Sequence, residues 1–262
     1  MMCRSDVCLT NFRNRETRCW WFRFPDIGNP SRTFFCFKLL FMKMGFLLLL
    51  IAFLLVLTAW LHQDWWWLLL WPAFSFVLVS AGYFGLGPRI FNKSEEGLVP
   101  FFNQCLLLPY LLYLNGIWHL SRLLRIEPPL HQLTENLYIS RRLLSRELPA
   151  EIVHVIDLTC EMSEPLELRS RGYHCFPVLD RAAPSVDTLC GWIEQTAVLE
   201  GPLLIHCAEG HGRTGLFTAA LLLYTGQAAS REEALRFIQS QRPLVRLSRE
   251  QKQILEDFSN GH

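Results

Sequence analysis

Apolar positions follow two different rhythms along this chain, and the change falls near its middle. Gly45 to Leu61 runs without a charged residue and extends upstream through Leu39 with only Lys43 intervening; Trp65 to Phe84 forms a second such stretch. Each is long enough, as helix, to cross a hydrocarbon layer of about 30 Å. Beyond residue 150 the apolar runs shorten and alternate with amphipathic segments. Ile152 to Leu158, Tyr173 to Leu179 and Leu203 to Ile205 predict strands, whereas Val186 to Leu199, Thr214 to Tyr224, Arg231 to Gln239 and Arg249 to Phe258 predict helices. Ser230 with Glu233 forms a capping box for the third of these helices. Strand and helix in alternation predict an α/β layer fold.

Charge sharpens the division. Residues 1–125 carry 12 Lys and Arg against 6 Asp and Glu, and residues 126–262 carry 13 against 18, although the whole chain sums to +1. Between the two apolar stretches His62-Gln63-Asp64 has no Lys or Arg, while Lys38, Lys43, Arg89 and Lys93 flank their outer ends. Positive-inside counting predicts a transmembrane hairpin of spans about 45–61 and 65–84, both ends cytoplasmic, with Trp65-Trp66-Trp67 at an interface. A third stretch, 98–120, contains Asn103, Gln104, Pro109 and Asn115 and ends toward Arg122 and Arg125; it reads as an interfacial helix anchored by those arginines. Were it to span, the domain after it would lie on the other side.

Residues 1–38 are Arg-rich and aperiodic, with Cys3, Cys8, Cys19 and Cys36 but no C-x2-C pair, which disfavours zinc there. Met42 and Met44 offer an alternative start just before the first span, and the late, long apolar segment is unlike a signal peptide. Nine Cys without framework spacing predict a reducing compartment. No repeat, low-complexity tract or basic stripe suited to nucleic acid is present.

The chemistry concentrates in His206-Cys207-Ala208-Glu209-Gly210-His211-Gly212-Arg213-Thr214-Gly215. Five residues between Cys207 and Arg213, three of them small, let the backbone curl so that the amides of Ala208, Glu209, Gly210, His211, Gly212 and Arg213 face one tetrahedral anion. Arg213 closes the ring with a fork matched to phosphate oxygens. The loop joins a strand end to a helix N-terminus, whose field favours a thiolate at Cys207. A thiolate can attack phosphorus and form a cysteinyl-phosphate, with the Thr214 hydroxyl stabilising it as it leaves.

At these residues the chain resembles the cysteine-dependent protein tyrosine phosphatase superfamily, signature H-C-x5-R-[ST], and within it the small dual-specificity phosphatases. Glu135-Asn136-Leu137-Tyr138-Ile139, Val155-Ile156-Asp157-Leu158-Thr159 and Arg242-Pro243 support the likeness, which covers about residues 126–262. It implies a central mixed sheet flanked by helices, a two-step thiol mechanism, no metal and no cofactor. It also implies a general acid on a loop before the signature, for which Asp180 fits best, following an apolar run and preceding a helix that Ser185 can cap. Asp157, inside an apolar run, reads as a backbone-bonding residue, and Asp187 as first-turn decoration of a helix. His206 is expected to hold Cys207 by hydrogen bonds. His211 is expected at the rim, touching substrate or solvent. Gln251 matches a position that orients water in some relatives, but with Ser248 it also forms a capping box. Cys160 lies near the place where some relatives carry a redox partner for the nucleophile; a spare thiol is the other reading.

The expectation is therefore a basic segment (1–38), a membrane region (39–125) and a phosphatase domain (126–262). The domain would hydrolyse phosphate monoesters at a membrane surface. Relatives acting on highly phosphorylated lipids often place Lys or Arg within the loop, whereas the charged interior residue here is Glu209, which favours phosphoprotein. A lipid phosphomonoester is the alternative, and a catalytically weak phosphate-binding scaffold is the alternative of another class.

Overall fold

The computed structural model describes residues 31–124 and 127–261, with side chains from Lys43 onward. Residues 1–30, Arg125 and the side chains of Cys36 and Lys38 lie outside what is described, and the zinc and start-site expectations with them.

Helix α1 (Ser31–His62) turns at Gln63 and Asp64, both with positive φ, into a 3-10 turn (Asp64–Leu69) and helix α2 (Leu70–Ala81). Two stretches, Lys43–His62 and Asp64–Phe91, are long and apolar enough to cross a membrane. Their outward faces carry Phe46, Phe53, Trp60, Leu61, Trp65 and Leu68, each more than half exposed. Trp65 and Trp66 stack at 4.4 Å at the tip of the hairpin. After a π-turn (Gly82–Leu86) and a 3-10 turn (Gly87–Phe91), helix α3 (Phe101–Leu124) buries Leu107, Tyr110, Leu111 and Trp118. Its polar residues are satisfied internally, Asn103 by the carbonyl of Ile90, Gln104 by Val99 and Asn115 by Leu111. Arg122, read as a lipid anchor, is paired within the protein. Both its terminal nitrogens donate to Glu147, at 2.9 and 2.7 Å, while its guanidinium lies 4.6 Å from the Trp118 ring centroid.

The second half is a mixed α/β fold around a five-stranded sheet. Strands β1 (Leu130–Thr134) and β2 (Leu137–Arg141) pair antiparallel through a two-residue turn at Glu135 and Asn136. β3 (His154–Thr159) leads through short helix α4 (Leu166–Arg169) to β4 (Gly172–Val178). After helix α5 (Val186–Ala197) comes β5 (Leu203–Cys207), followed by α6 (Gly212–Tyr224), α7 (Arg231–Gln241) and α8 (Arg249–Gly261). Sheet order is β1-β2-β5-β3-β4, with β5 in the centre and parallel to both neighbours. The alternation of strand side chains sorts the core into two faces. Ile139, Ile156, Ile205 and Phe176 pack on α5, α6, α7 and α8; Tyr138, Val155 and Leu204 pack with Leu143, Ile152 and Leu168 on the other side.

A third apolar cluster crosses the midpoint of the chain. Leu48, Ala52, Phe76, Val79, Tyr83, Phe91, Leu107 and Tyr110 of the N-terminal helices pack in one cluster with Cys160, Val178, Leu179 and Ala182. The last three flank Asp180.

Candidate active site

Cys207 is the last residue of β5, and the chain then curls through four residues into the N-terminus of α6. The curl depends on Gly210. Its φ is +74°, and a Cβ there would run into the backbone of Ser140 and Arg141 on β2. So placed, the amide of Gly210 donates to Cys207 Sγ at 3.2 Å. The strand end and the curl together bury Cys207, which is 3% exposed. Thr214, on the first turn of α6, is buried with its hydroxyl unpartnered.

Arg213 is buried, and its fork is already engaged. Nη1 and Nη2 donate to Glu161 Oε2 and Oε1 at 3.0 and 2.7 Å, and Nη1 also donates to the carbonyls of Val178 and Leu158 at 2.8 and 3.3 Å. Nε is buried without a partner. The fork read from sequence as the phosphate ligand is thus engaged by Glu161, and Nε is a buried donor left unused. Burial would push the Glu161 carboxyl up, but Arg213 outweighs it and holds the group below the usual carboxylate range. Glu161 was missed in the sequence; the only signal was an acid just beyond a strand end.

Asp180 follows β4 on a turn in which Arg181 has φ +61°. Its carboxylate is 55% exposed and its Oδ1 lies 3.5 Å from Arg213 Nη2. Burial of Leu179 and Ala182 on either side fixes the ends of this turn, and the Tyr83 hydroxyl donates to the carbonyl of Asp180 at 3.5 Å. Ser185 caps α5 through the amide of Thr188 at 3.2 Å. From the other side Gln251 Nε2 donates to Ala182 O at 2.9 Å, while its Oε1 accepts from the amide of Ser248 and the Ser248 hydroxyl accepts from the amide of Gln251. That is the capping box, in a residue that also reaches across to the Asp180 turn. Glu250 accepts from the backbone of Ala183, and burial raises its carboxyl to about 7.

Behind Cys207 lies a buried ionic cluster. Asp157 stands in register beside His206 and accepts from the amide and hydroxyl of Thr159, from Tyr173 Oη at 2.6 Å and from Lys93 Nζ at 2.5 Å. Burial would raise the Asp157 carboxyl, but Lys93 and His206 outweigh it and keep it far below the usual carboxylate range. The backbone-bonding role read for Asp157 is present, but it is incomplete without Lys93. Lys93, counted in the sequence as a charge flanking the spans, has a fully buried side chain. His206 makes no hydrogen bond with either ring nitrogen, contrary to expectation; its nearest ionic partner is Asp157 Oδ1 at 3.9 Å. Asp157, Glu164 and His206 bring possible ligand atoms within 4.8 Å of one another, but the Lys93 ammonium already supplies the cation at Asp157.

The remaining loop residues turn outward. His211 Nε2 bonds Glu127 at 2.8 Å, with the side chain still 28% exposed. Both carboxylate oxygens of Glu209 accept from Ser121 of α3 at 3.1 Å, and its carbonyl, like that of Pro128, accepts from the buried Arg242. The acidic side chain read as interior thus points to α3. Cys160 is a free, buried thiol donating to Glu161 at 3.3 Å; burial, then Glu161, push it well above the ordinary thiol range. Asp187 sits in the first turn of α5 as expected.

A buried Cys under a curled loop, a braced Arg and a carboxylate beside it make a site for displacement at a phosphate monoester. Residues 144–227 match the family described as "Polymorphic toxin system, DSP-PTPase phosphatase". No curated protein matches the chain. Among solved structures, Tk-PTP in its active form shares 28% identity over 52% of this chain and 99% of its own, with a TM-score of 0.46. PTPMT1 in complex with PI(5)P shares 18% over 51% and 96%, TM-score 0.45, and human DUSP28 shares 17% over 52% and 96%, TM-score 0.42.

Proposed function

We propose that this chain, a phosphoric monoester hydrolase of the dual-specificity, protein tyrosine phosphatase type, works through a cysteinyl-phosphate at a membrane surface. Cys207 attacks phosphorus, the loop amides and Arg213 bind the equatorial oxygens, and Asp180 protonates the leaving oxygen. Asp180, now a carboxylate, then takes a proton from the water that attacks the intermediate, while Thr214 donates to the departing thiolate. The observation that carries this reading is the meeting of three groups from three elements. Cys207 Sγ accepts from Gly210, Arg213 is braced by Glu161, and Asp180 lies 3.5 Å from that arginine. Hydrolysis of an aryl phosphate by the full chain, abolished in Cys207→Ser, tests it. Undiminished turnover in that variant overturns it, and a wild type that binds phosphate but never turns over would favour the scaffold reading.

The membrane part rests on the two apolar stretches and their uncovered outer faces, with the hairpin anchoring a cytoplasmic catalytic half. For the substrate, an acidic cradle interior would favour phosphoprotein, and the outward turn of Glu209 toward Ser121 weakens that preference. A lipid phosphomonoester is favoured by the cluster that joins the Asp180 turn to the apolar helices, because it sets the site beside them. Trapping with Asp180→Ala in native membranes separates the two, by whether phosphoprotein or phospholipid is retained.

A further inference from the structure

Lys93 lies in the connector between the helical hairpin and α3, 64 residues before its partner Asp157. The connector is built to dock. Ser94 and Leu98 close a small loop, the amide of Ser94 donating to Leu98 O at 2.8 Å and the amide of Leu98 to Ser94 Oγ at 3.3 Å. That loop binds the segment after β3 at two points. The amide of Glu164 donates to Gly97 O at 2.9 Å, and the amide of Val99 donates to Ser163 Oγ at 3.0 Å. Gly97, with φ +81°, leaves room for the ring of Tyr173, which itself donates to Asp157. Held in this way, the Lys93 ammonium reaches Asp157, Thr159 O at 3.1 Å and Thr159 Oγ1 at 2.9 Å.

We propose that Lys93 is a positioning residue of the catalytic centre: its ammonium fixes Asp157, and through Asp157 it governs His206 and the adjoining nucleophile Cys207. The sheet provides the path. Asp157 on β3 is the register partner of His206 on β5, and Cys207 follows directly. The groups that face this cluster are Lys93 from the connector, Asp157 from β3, Glu164 with its partner Arg142, and Tyr173 and Cys175 from β4. Glu164 Oε2 is buried and unpartnered, and removing the ammonium leaves Asp157 with the neutral donors of Thr159 and Tyr173 and the pair of acids with the single cation of Arg142, on Glu164. The nearest group then able to bring positive charge to Asp157 is His206, 3.9 Å away. Lys93 thus keeps that demand off the residue next to the nucleophile.

This inference rests on the thiolate reading, and its test separates the two. The full chain in detergent micelles is assayed with an aryl phosphate from pH 5 to pH 9, and Cys207 is alkylated with iodoacetamide over the same range. Wild type, Lys93→Met, Lys93→Gln and Lys93→Met/Asp157→Asn are compared, with Cys207→Ser as blank. In Lys93→Met the acid limb of kcat/KM and the alkylation curve are expected to move to higher pH by roughly 0.5 unit or more, with about a threefold or greater loss of kcat/KM on that limb. Asp157→Asn in the same chain returns both curves toward wild type, because it removes the unanswered charge. Lys93→Gln, which keeps a donor and drops the charge, decides the matter if the Met variant does not fold. Curves that superimpose on wild type in pH, whatever their amplitude, overturn the proposal. A wild type inert toward aryl phosphate refutes the thiolate reading instead, and the alkylation curves still judge Lys93.

Discussion

Glu161→Gln removes one charge from the pair that braces Arg213, the proposed phosphate ligand, while keeping the shape of the side chain. The two short hydrogen bonds, 3.0 and 2.7 Å, join groups that are almost wholly buried. At an effective dielectric constant of about 20 the gross attraction at such a separation is about 5 kcal/mol. Desolvation opposes it, so the useful quantity is the cost of breaking the pair, about 3–5 kcal/mol for a buried pair that loses one partner. Asp180, 3.5 Å from the same Nη2 and half exposed, takes over part of the charge, which lowers the expected loss to about 2–3 kcal/mol. The folded Glu161 carboxyl titrates below its unfolded range, so this stabilisation is present above that range and fades as pH falls through the folded value. The gap between wild type and variant should therefore close in acid. Without the brace Arg213 can rotate toward Asp180, and misplacement of a ligand by about 1 Å costs on the order of 100-fold in kcat/KM. Denaturant unfolding at pH 7 and pH 4, with aryl phosphate kinetics, measures both. A variant within about 1 kcal/mol and twofold of wild type at pH 7 would refute the brace.

Asp180→Asn should lower kcat by roughly 100-fold or more for leaving groups of high pKa, and much less for an activated aryl phosphate, with the basic limb of the pH profile flattened; equal losses for both leaving groups would remove Asp180 from the general-acid role. Gly210→Ala puts a Cβ against the backbone of Ser140 at positive φ, so phosphate binding, followed by calorimetry, should be lost with the native Gly210 to Cys207 contact. Glu250 has its carboxyl raised from 4.5 to about 7, so it favours the folded state below 4.5 and withdraws that support as pH rises through 7. Partial exposure discounts the effect, and Glu250→Gln should gain about 1 kcal/mol at pH 8 and nothing at pH 4 in thermal unfolding. Co-flotation with neutral lipid vesicles should be complete for wild type and should weaken when Phe53, Trp60 and Leu61, all exposed, are changed together to Ser.

The catalytic half was legible where local pattern and spacing agree. Strands β3, β4 and β5 and helices α5 to α8 follow from runs of one period, and the Cys207 to Arg213 spacing names its chemistry without any tertiary information. β1 and β2 escaped strand assignment because they are five residues each, with His131, Gln132 and Ser140 interrupting the apolar pattern. What was not legible depends on groups far apart in sequence. Glu161 meets Arg213 across 52 positions, and Ser121 meets Glu209 across 88. A positive charge flanking an apolar span reads as a topology signal, so the burial of Lys93 against Asp157 could not be foreseen. The pairing of Arg122 with Glu147 was hidden for the same reason, since a lipid headgroup and a carboxylate satisfy an arginine alike.

The apolar cluster that unites Leu48, Phe76 and Tyr83 with Val178, Leu179 and Ala182 also sets an order of events during synthesis. The helices that form one side of it emerge first, and Tyr83 waits 97 residues for the carbonyl it meets at Asp180. Closing so long a stretch of chain is entropically costly, and the cost falls after the N-terminal helices have found their own environment. The turn that carries Asp180 is therefore assembled on a surface already in place. A chain halted before β5 would hold the turn and its apolar seat, without the Cys207 loop that completes the site.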